Sequence, residues 1–278
     1  MRVTGATRAL AIAGGRSAGL LLLAALWGTP GLAQAPIGEI SPVDLTYTFG
    51  DSTIYWPTAD PFQLEIVARG KTEGGWWYAA NSFSAAEHGG THLDAPIHFA
   101  EGKRTADQIP LSDLMGAAVV VDVSEAAAAD PDYLVDVAAF EAWEAGNGRI
   151  PERSIVLLRT GWGERWPDPE RYLGTARRGA DAVAELHFPG LAPEAATWLV
   201  NERSLKAVGI DTASIDRGQS TDFGAHRVLA QAQVPIFENV AHLDELPATG
   251  VWVVALPMKI EGGTGGPLRI VAFVPGAR

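Results

Sequence analysis

Three of the six histidines in this 278-residue chain fall within eleven positions. They lie in the run His88-Gly89-Gly90-Thr91-His92-Leu93-Asp94-Ala95-Pro96-Ile97-His98, with Asp94 among them. Gly89, Gly90 and Pro96 exclude a regular helix, because glycine weakens helices and proline removes a backbone donor. An extended path from Thr91 puts positions 92, 94, 96 and 98 on one face, which reads His, Asp, Pro, His. The glycine pair can bend the backbone enough to bring His88 to the same spot. Two imidazoles and a carboxylate converging, in a chain without cysteine, describe a site for a hard-to-borderline divalent metal with nitrogen and oxygen ligands. A single histidine beside a glycine turn is more often an ordinary surface or core residue. The convergence of several such groups is what favours the metal.

The string H-x-G-T-H-x-D-x-P-x-H-F, matched at every fixed position from His88 to Phe99, resembles the signature of the metal-dependent cyclase hydrolases. That family includes bacterial kynurenine formamidase and isatin hydrolase. The formamidases carry a second constellation far downstream, a histidine followed twelve residues later by a glutamate, and His226 and Glu238 have that spacing. Trp56-Pro57 is similar to the Trp-Pro that the formamidases set against the substrate ring. The resemblance covers the chain beyond its first 35 residues. It implies that His88, His92 and Asp94 are the primary metal ligands, completed by Glu238, which can bridge to a second ion held by His226. Spacing alone says little about the downstream pair, because twelve residues exceed three helical turns and a lone histidine opening a helix is usually a surface residue. One departure stands out. The formamidases commonly read Trp-Pro-Gly-Asp, whereas this chain has Trp56-Pro57-Thr58-Ala59-Asp60, so the loop over the substrate is built differently.

Hydrolysis needs a group that takes a proton from water and one that delivers a proton to the leaving atom. Imidazole, with an unperturbed pKa of about 6.5, does both near neutral pH, which makes His98 the candidate acid/base. A divalent ion lowers the pKa of bound water toward about 7 and polarises a carbonyl. The competing roles for His98 are a further ligand or a partner that orients one. Imidazole and carboxylate ligands suit zinc, manganese or iron, and zinc or manganese is the expected ion. Thr91 and Pro96 are read as shaping the loop, Thr91 through a hydroxyl bond to its own backbone.

The resemblance implies a metal-dependent hydrolase of C–N amide bonds. An arylformamidase acting on N-formylkynurenine, a step of tryptophan catabolism, is the leading expectation. Hydrolysis of a cyclic amide such as isatin, or of a lactone, is the alternative. A periplasmic protein that captures a metal or small acid without turnover is the reading of another class, and His98 speaks against it, since binding needs no free imidazole beside a full ligand set. Tyr55, Trp56, Phe62, Trp76, Trp77, Tyr78 and Phe83 crowd the residues before the motif. They suit an aromatic-walled pocket for a flat aryl substrate, or equally a core or a subunit contact in a homodimer or homotetramer.

The elements that must hold these groups follow from composition and pattern. Arg2, Arg8 and Arg16 precede the apolar run Gly19–Leu26, and small residues at Ala33 and Ala35 offer a cleavage site. Residues 1–35 are therefore expected to be an export signal, residues 36–278 one hydrolase domain, and the protein periplasmic or secreted. The formal net charge of −12 becomes three units more negative once those arginines are removed. Such a surface repels phosphate and anionic lipid, which argues against nucleic-acid and membrane partners. Apolar runs at Ala117–Val123, Ser154–Thr160, Lys206–Asp211, Val251–Leu256 and Leu268–Val274 read as buried strands. Val137–Ala145 and Pro193–Arg203 read as helices, and the alternation argues an α/β class. The family resemblance implies a swivelling β/β/α architecture with a barrel-like sheet and flanking helices. His187 and His242 match no motif. Asp211 and Asp216 lie at a strand end without an assignable role.

Overall fold

The apolar runs at 117–123, 154–160 and 206–211 become strands buried on both faces, which explains why they do not alternate with polar residues, whereas the two runs nearest the C-terminus bury alternate residues. The computed structural model describes residues 40–275, so the expected export signal lies outside the described residues. The strands are β1 (Ile40–Asp44), β2 (Gln63–Lys71), β3 (Trp77–Ser84), β4 (His92–Asp94), β5 (Met115–Asp122) and β6 (Leu134–Val135). They continue with β7 (Ile155–Arg159), β8 (Gly190–Leu191), β9 (Ala207–Ile210), β10 (Ile236–Glu238), β11 (Val251–Pro257) and β12 (Gly265–Pro275). All five expected strands are present, as β5, β7, β9, β11 and β12.

The main sheet runs β12-β11-β5-β7-β9-β10-β4, and β4 pairs back onto β12, closing a seven-stranded barrel-like ring. β1 adds along the other half of β12. The neighbours β5–β7, β7–β9 and β9–β10 are parallel, and the remaining contacts around the ring are antiparallel. Alternate residues then face two cores. Val120, Leu157, Leu93, Phe237, Val253 and Ile270 fill one. Val119, Val121, Val156 and Leu158 pack in the other against Phe140, Leu199, Ala225 and Leu229 of the flanking helices. Mixed α/β architecture with a barrel-like sheet and covering helices is therefore what the chain forms. Among the described residues, no helix is long and apolar enough to cross a membrane.

Two local expectations change. The extended path from Thr91 ends at Asp94, because Pro96 opens a short 3-10 turn, Pro96–His98, in which His98 N–H donates to Ala95 O at 2.9 Å. The expected helix Pro193–Arg203 is α-helical to Trp198 and finishes as a π turn over Leu199–Arg203. The hairpin β2–β3 was not anticipated. It forms its own two-stranded sheet, and Leu64, Ile66, Val67, Trp77, Tyr78 and Phe83 are each more than half exposed.

Candidate metal centre

Two short strands of the ring carry the centre. Along β4, Leu93 turns into the barrel core, so His92 and Asp94 turn to the opposite face. β10 lies antiparallel to it with Glu238 opposite His92, and Phe237 fills the same core as Leu93. His226 arrives from the first turn of the helix Gly224–Gln231. Gly90, at φ +55°, makes the bend that brings His88 back to this face.

The structure thus brings together all five side chains expected to bind metal. His88, His92 and Asp94 form one group able to hold an ion; Asp94, His226 and Glu238 form another, and Asp94 belongs to both. His92 Nε2 lies 3.2 Å from Asp94 Oδ1 and 3.4 Å from Glu238 Oε2. His226 Nε2 lies 3.0 Å from Asp94 Oδ2 and 3.1 Å from Glu238 Oε1. His88 Nδ1 is 2.6 Å from Asp94 Oδ1. His92, Asp94, His226 and Glu238 are buried.

The donor set fits a divalent cation. His226 Nδ1 meets Asp216 Oδ2 at 2.7 Å, and a carboxylate oxygen only accepts, so that nitrogen carries the hydrogen. His92 Nδ1 likewise donates to Gly90 O at 2.9 Å. Both rings therefore aim a bare Nε2 lone pair at carboxylate oxygens, an arrangement that needs a positive charge between them. The protonation equilibria express the same demand. Burial pulls His92 down, but the Asp94 and Glu238 carboxylates outweigh it and raise the ring to about 10. His226 is held well above the ordinary imidazole value, against burial, by Asp216, Asp94 and Glu238. Burial opposes ionisation of Asp94, yet the neighbouring imidazoles keep its carboxyl well below the usual range. Glu238 is lowered too, although burial and Asp94 both push it up.

His98 does not join the cluster. Its ring stacks on that of His88, centroids 3.8 Å apart and planes 17° from parallel. Burial, reinforced by His88 and His226, lowers its pKa to about 4 despite the nearby carboxylates. It lines a cavity of about 280 Å³ with the cluster in its wall and Ile54, Trp56, Phe99 and Phe223 around it. Trp56, expected at the substrate, lines this cavity and meets Phe188 edge-on at 6.4 Å. Tyr55 also lines it, whereas Trp76, Trp77, Tyr78 and Phe83 are exposed on or beside the hairpin.

Asp216 and Asn239 are site residues that sequence reasoning left unassigned. Besides holding His226, Asp216 accepts from Ala225 N–H at 2.9 Å and His226 N–H at 3.1 Å, fixing the start of the helix that presents that ring. Its signal in the sequence is weak: an acid ten residues before a histidine. Asn239, in the left-handed region at φ +51°, donates to Gly90 O at 2.7 Å and accepts from Tyr172 Oη at 2.9 Å. It therefore braces the carbonyl that orients His92. Asp211 has a structural task, since it accepts from Thr160 N–H, Thr160 Oγ1 and Gly161 N–H and ties β7 to β9. Thr91 does not bond its own backbone; its Oγ1 donates to Asn239 O at 2.7 Å and so ties the motif to the residue after β10.

Residues 43–217 match the family model Cyclase, described as "Putative cyclase". That span includes Trp56 and the whole His88–His98 run and stops short of His226. The chain is 33% identical over 254 residues to isatin hydrolase of Roseibium aggregatum, covering 86% of this chain and 94% of that protein. It is 28% identical over 234 residues to kynurenine formamidase of Salinibacter ruber, covering 82% and 95%. A crystal structure of an isatin hydrolase bound to the product analogue thioisatinate superposes with a TM-score of 0.77 at 32% identity, covering 86% of this chain and 94% of that one.

Proposed function

This chain belongs to the Cyclase family of metal-dependent hydrolases, and from that premise we propose that it opens a cyclic aryl amide of the isatin class by hydrolysing the ring C–N bond. The observation that carries this reading is the aromatic-walled cavity with an imidazole–carboxylate cluster in its wall and a separate imidazole, His98, beside it. An aryl lactam presents a flat face to Trp56, Phe99 and Phe223 and a polar carbonyl to the cluster. Similarity to the isatin hydrolase, at 33% identity against 28% for the formamidase, favours the cyclic substrate over the open-chain formamide.

Ring opening consumes one water. Its oxygen bonds to the amide carbon, the C–N bond breaks with its electron pair left on nitrogen, one water proton ends on that nitrogen, and the other is released as the new carboxylic acid ionises. One or two divalent ions, zinc or manganese, held by His88, His92 and Asp94 and by Asp94, His226 and Glu238, would polarise the carbonyl and lower the pKa of water. His98 is neutral at pH 7, because its pKa is pulled to about 4, and so offers a lone pair for the water proton. The same ring then gives that proton to the departing nitrogen. Asp216 and the Gly90 carbonyl keep His226 and His92 in the tautomers that leave Nε2 free.

Arylformamidase activity is the second reading, favoured by Trp56 at the cavity and by the formamidase relatives. Steady-state assays on isatin, formanilide, N-formylkynurenine and an aryl lactone separate the two. The expected result is the highest kcat/KM on isatin, with Trp56→Ala raising its KM by about tenfold through loss of ring contact. Formamide turnover with inert isatin would transfer the assignment to the second reading.

We also propose that the protein is a homo-oligomer, a dimer or tetramer, joined through the β2–β3 hairpin. A two-stranded hairpin is marginally stable alone, and this one exposes large apolar side chains from both strands. Packing against a second copy covers them symmetrically. Light scattering should give a dimer or larger for the wild type and a monomer for an Ile66→Lys/Trp77→Glu variant. A monomeric wild type rejects the proposal.

A further inference from the structure

His88 faces the cluster through a different nitrogen from its two fellow imidazoles, and the reason lies outside the motif. Thr264, in the loop between β11 and β12, gives its single hydroxyl proton to Glu87 Oε2 at 2.5 Å, while its backbone N–H donates to the same oxygen at 2.9 Å. Toward His88 Nε2, 2.8 Å away, the threonine oxygen can then only accept. His88 Nε2 therefore carries the ring hydrogen, and Nδ1 is left bare, 2.6 Å from Asp94 Oδ1. In His92 and His226 the roles are reversed, with Nδ1–H turned outward and Nε2 inward.

The loop is itself fixed against the motif strand. Ala95 N–H donates to Thr264 O at 2.8 Å, and the next residue, Gly265, packs so closely on the Leu93 carbonyl and the His88 ring that no side chain fits there. Beyond His88 stands His98. Among the described residues neither ring nitrogen of His98 makes a hydrogen bond, so its orientation rests on packing: the face of His88 at 3.8 Å and the edge of Phe99 at 4.5 Å.

We propose that Glu87 and Thr264 are a positioning pair that fixes His88 with Nδ1 toward the metal cluster and, through the stacked ring, also holds His98 in place. The pair touches neither substrate nor reacting atoms. It acts through His88, and it couples the metal site to the proton carrier. Only the turnover part of this proposal rests on the function proposed above.

The test uses the full chain and Zn²⁺ alone as the probe. In competition with a chromophoric chelator, Thr264→Val, which keeps the shape and removes the hydroxyl, should bind Zn²⁺ about ten- to a hundredfold more weakly. Thr264→Ser should recover affinity to within a few-fold. Nitrogen-15 NMR of the zinc-loaded wild type should show the His88 hydrogen on Nε2, opposite to His92 and His226; this readout needs no variant and stands even if Thr264→Val fails to fold. On isatin, Thr264→Val saturated with Zn²⁺ should lose kcat with KM little changed, because His98 is no longer held. A folded Thr264→Val with wild-type Zn²⁺ affinity, or a His88 hydrogen on Nδ1, overturns the proposal. If the wild type leaves isatin intact, the substrate reading fails, and the affinity and tautomer results still decide the role of the pair.

Discussion

His92→Ala is expected to abolish metal binding and to lower hydrolysis roughly a thousandfold or more, the scale of losing a Lewis acid that activates both carbonyl and water. His92 stands in the middle of the cluster, its Nε2 between Asp94 and Glu238. Deleting it removes one ligand and leaves two buried carboxylates with one fewer partner, and a lost ligand lowers metal affinity directly. The barrel should survive, since the neighbouring Leu93 carries the core contact of β4. Elemental analysis of purified wild type should give at least one equivalent of a divalent transition metal per chain, and the variant close to none. Chelation of the wild type should reproduce the loss of activity, with recovery on adding back Zn²⁺ or Mn²⁺. Circular dichroism guards against trivial unfolding. Full metal occupancy in a folded His92→Ala protein would remove His92 from the ligand set.

How much of this was legible in the sequence depended on range. The β4 groups could be read because two-residue alternation and a glycine bend are local rules, and both hold at His92, Asp94 and Gly90. His98 was placed by extending that alternation too far; Pro96 starts a turn, and the ring reaches the cavity by stacking on His88 instead. The barrel strands were legible because double burial leaves uninterrupted apolar runs such as Val119–Val121. β10 was not, since three residues make no periodicity, and the place of Glu238 beside His92 comes from antiparallel pairing of two strands far apart in the chain. His226 and Glu238 came from the family pattern alone. Asp216, Asn239 and Thr264 act through hydrogen bonds to groups distant in sequence, and an aspartate, asparagine or threonine in a loop carries no local mark of such a task. The hairpin's aromatics were legible as a cluster while their exposure was not, because exposure depends on which elements turn toward them.

His98→Asn is the second large expected effect, and it separates a proton carrier from a ligand. The variant should retain the metal, because His88, His92, Asp94, His226 and Glu238 converge without His98. Asparagine keeps a polar group of modest size in the cavity wall but has no basic nitrogen. Turnover should fall by about a hundredfold or more, the usual cost of deleting a positioned acid/base. KM should move much less, since the proton shifts as the C–N bond breaks and is scarcely engaged in the bound ground state. With its pKa lowered to about 4, His98 is neutral throughout the physiological range, so it begins the reaction as a base and cannot serve as a fixed positive charge for a substrate carboxylate. A binding role for a cationic imidazole predicts the opposite pattern, a large rise in KM with kcat preserved. Loss of the metal in His98→Asn would make His98 a ligand after all, and wild-type turnover would assign the proton transfers to another group. Retained metal, nearly constant KM and collapsed kcat together are the result the geometry requires: a ring stacked on a ligand, outside the ligand set, facing the cavity with its lone pair available.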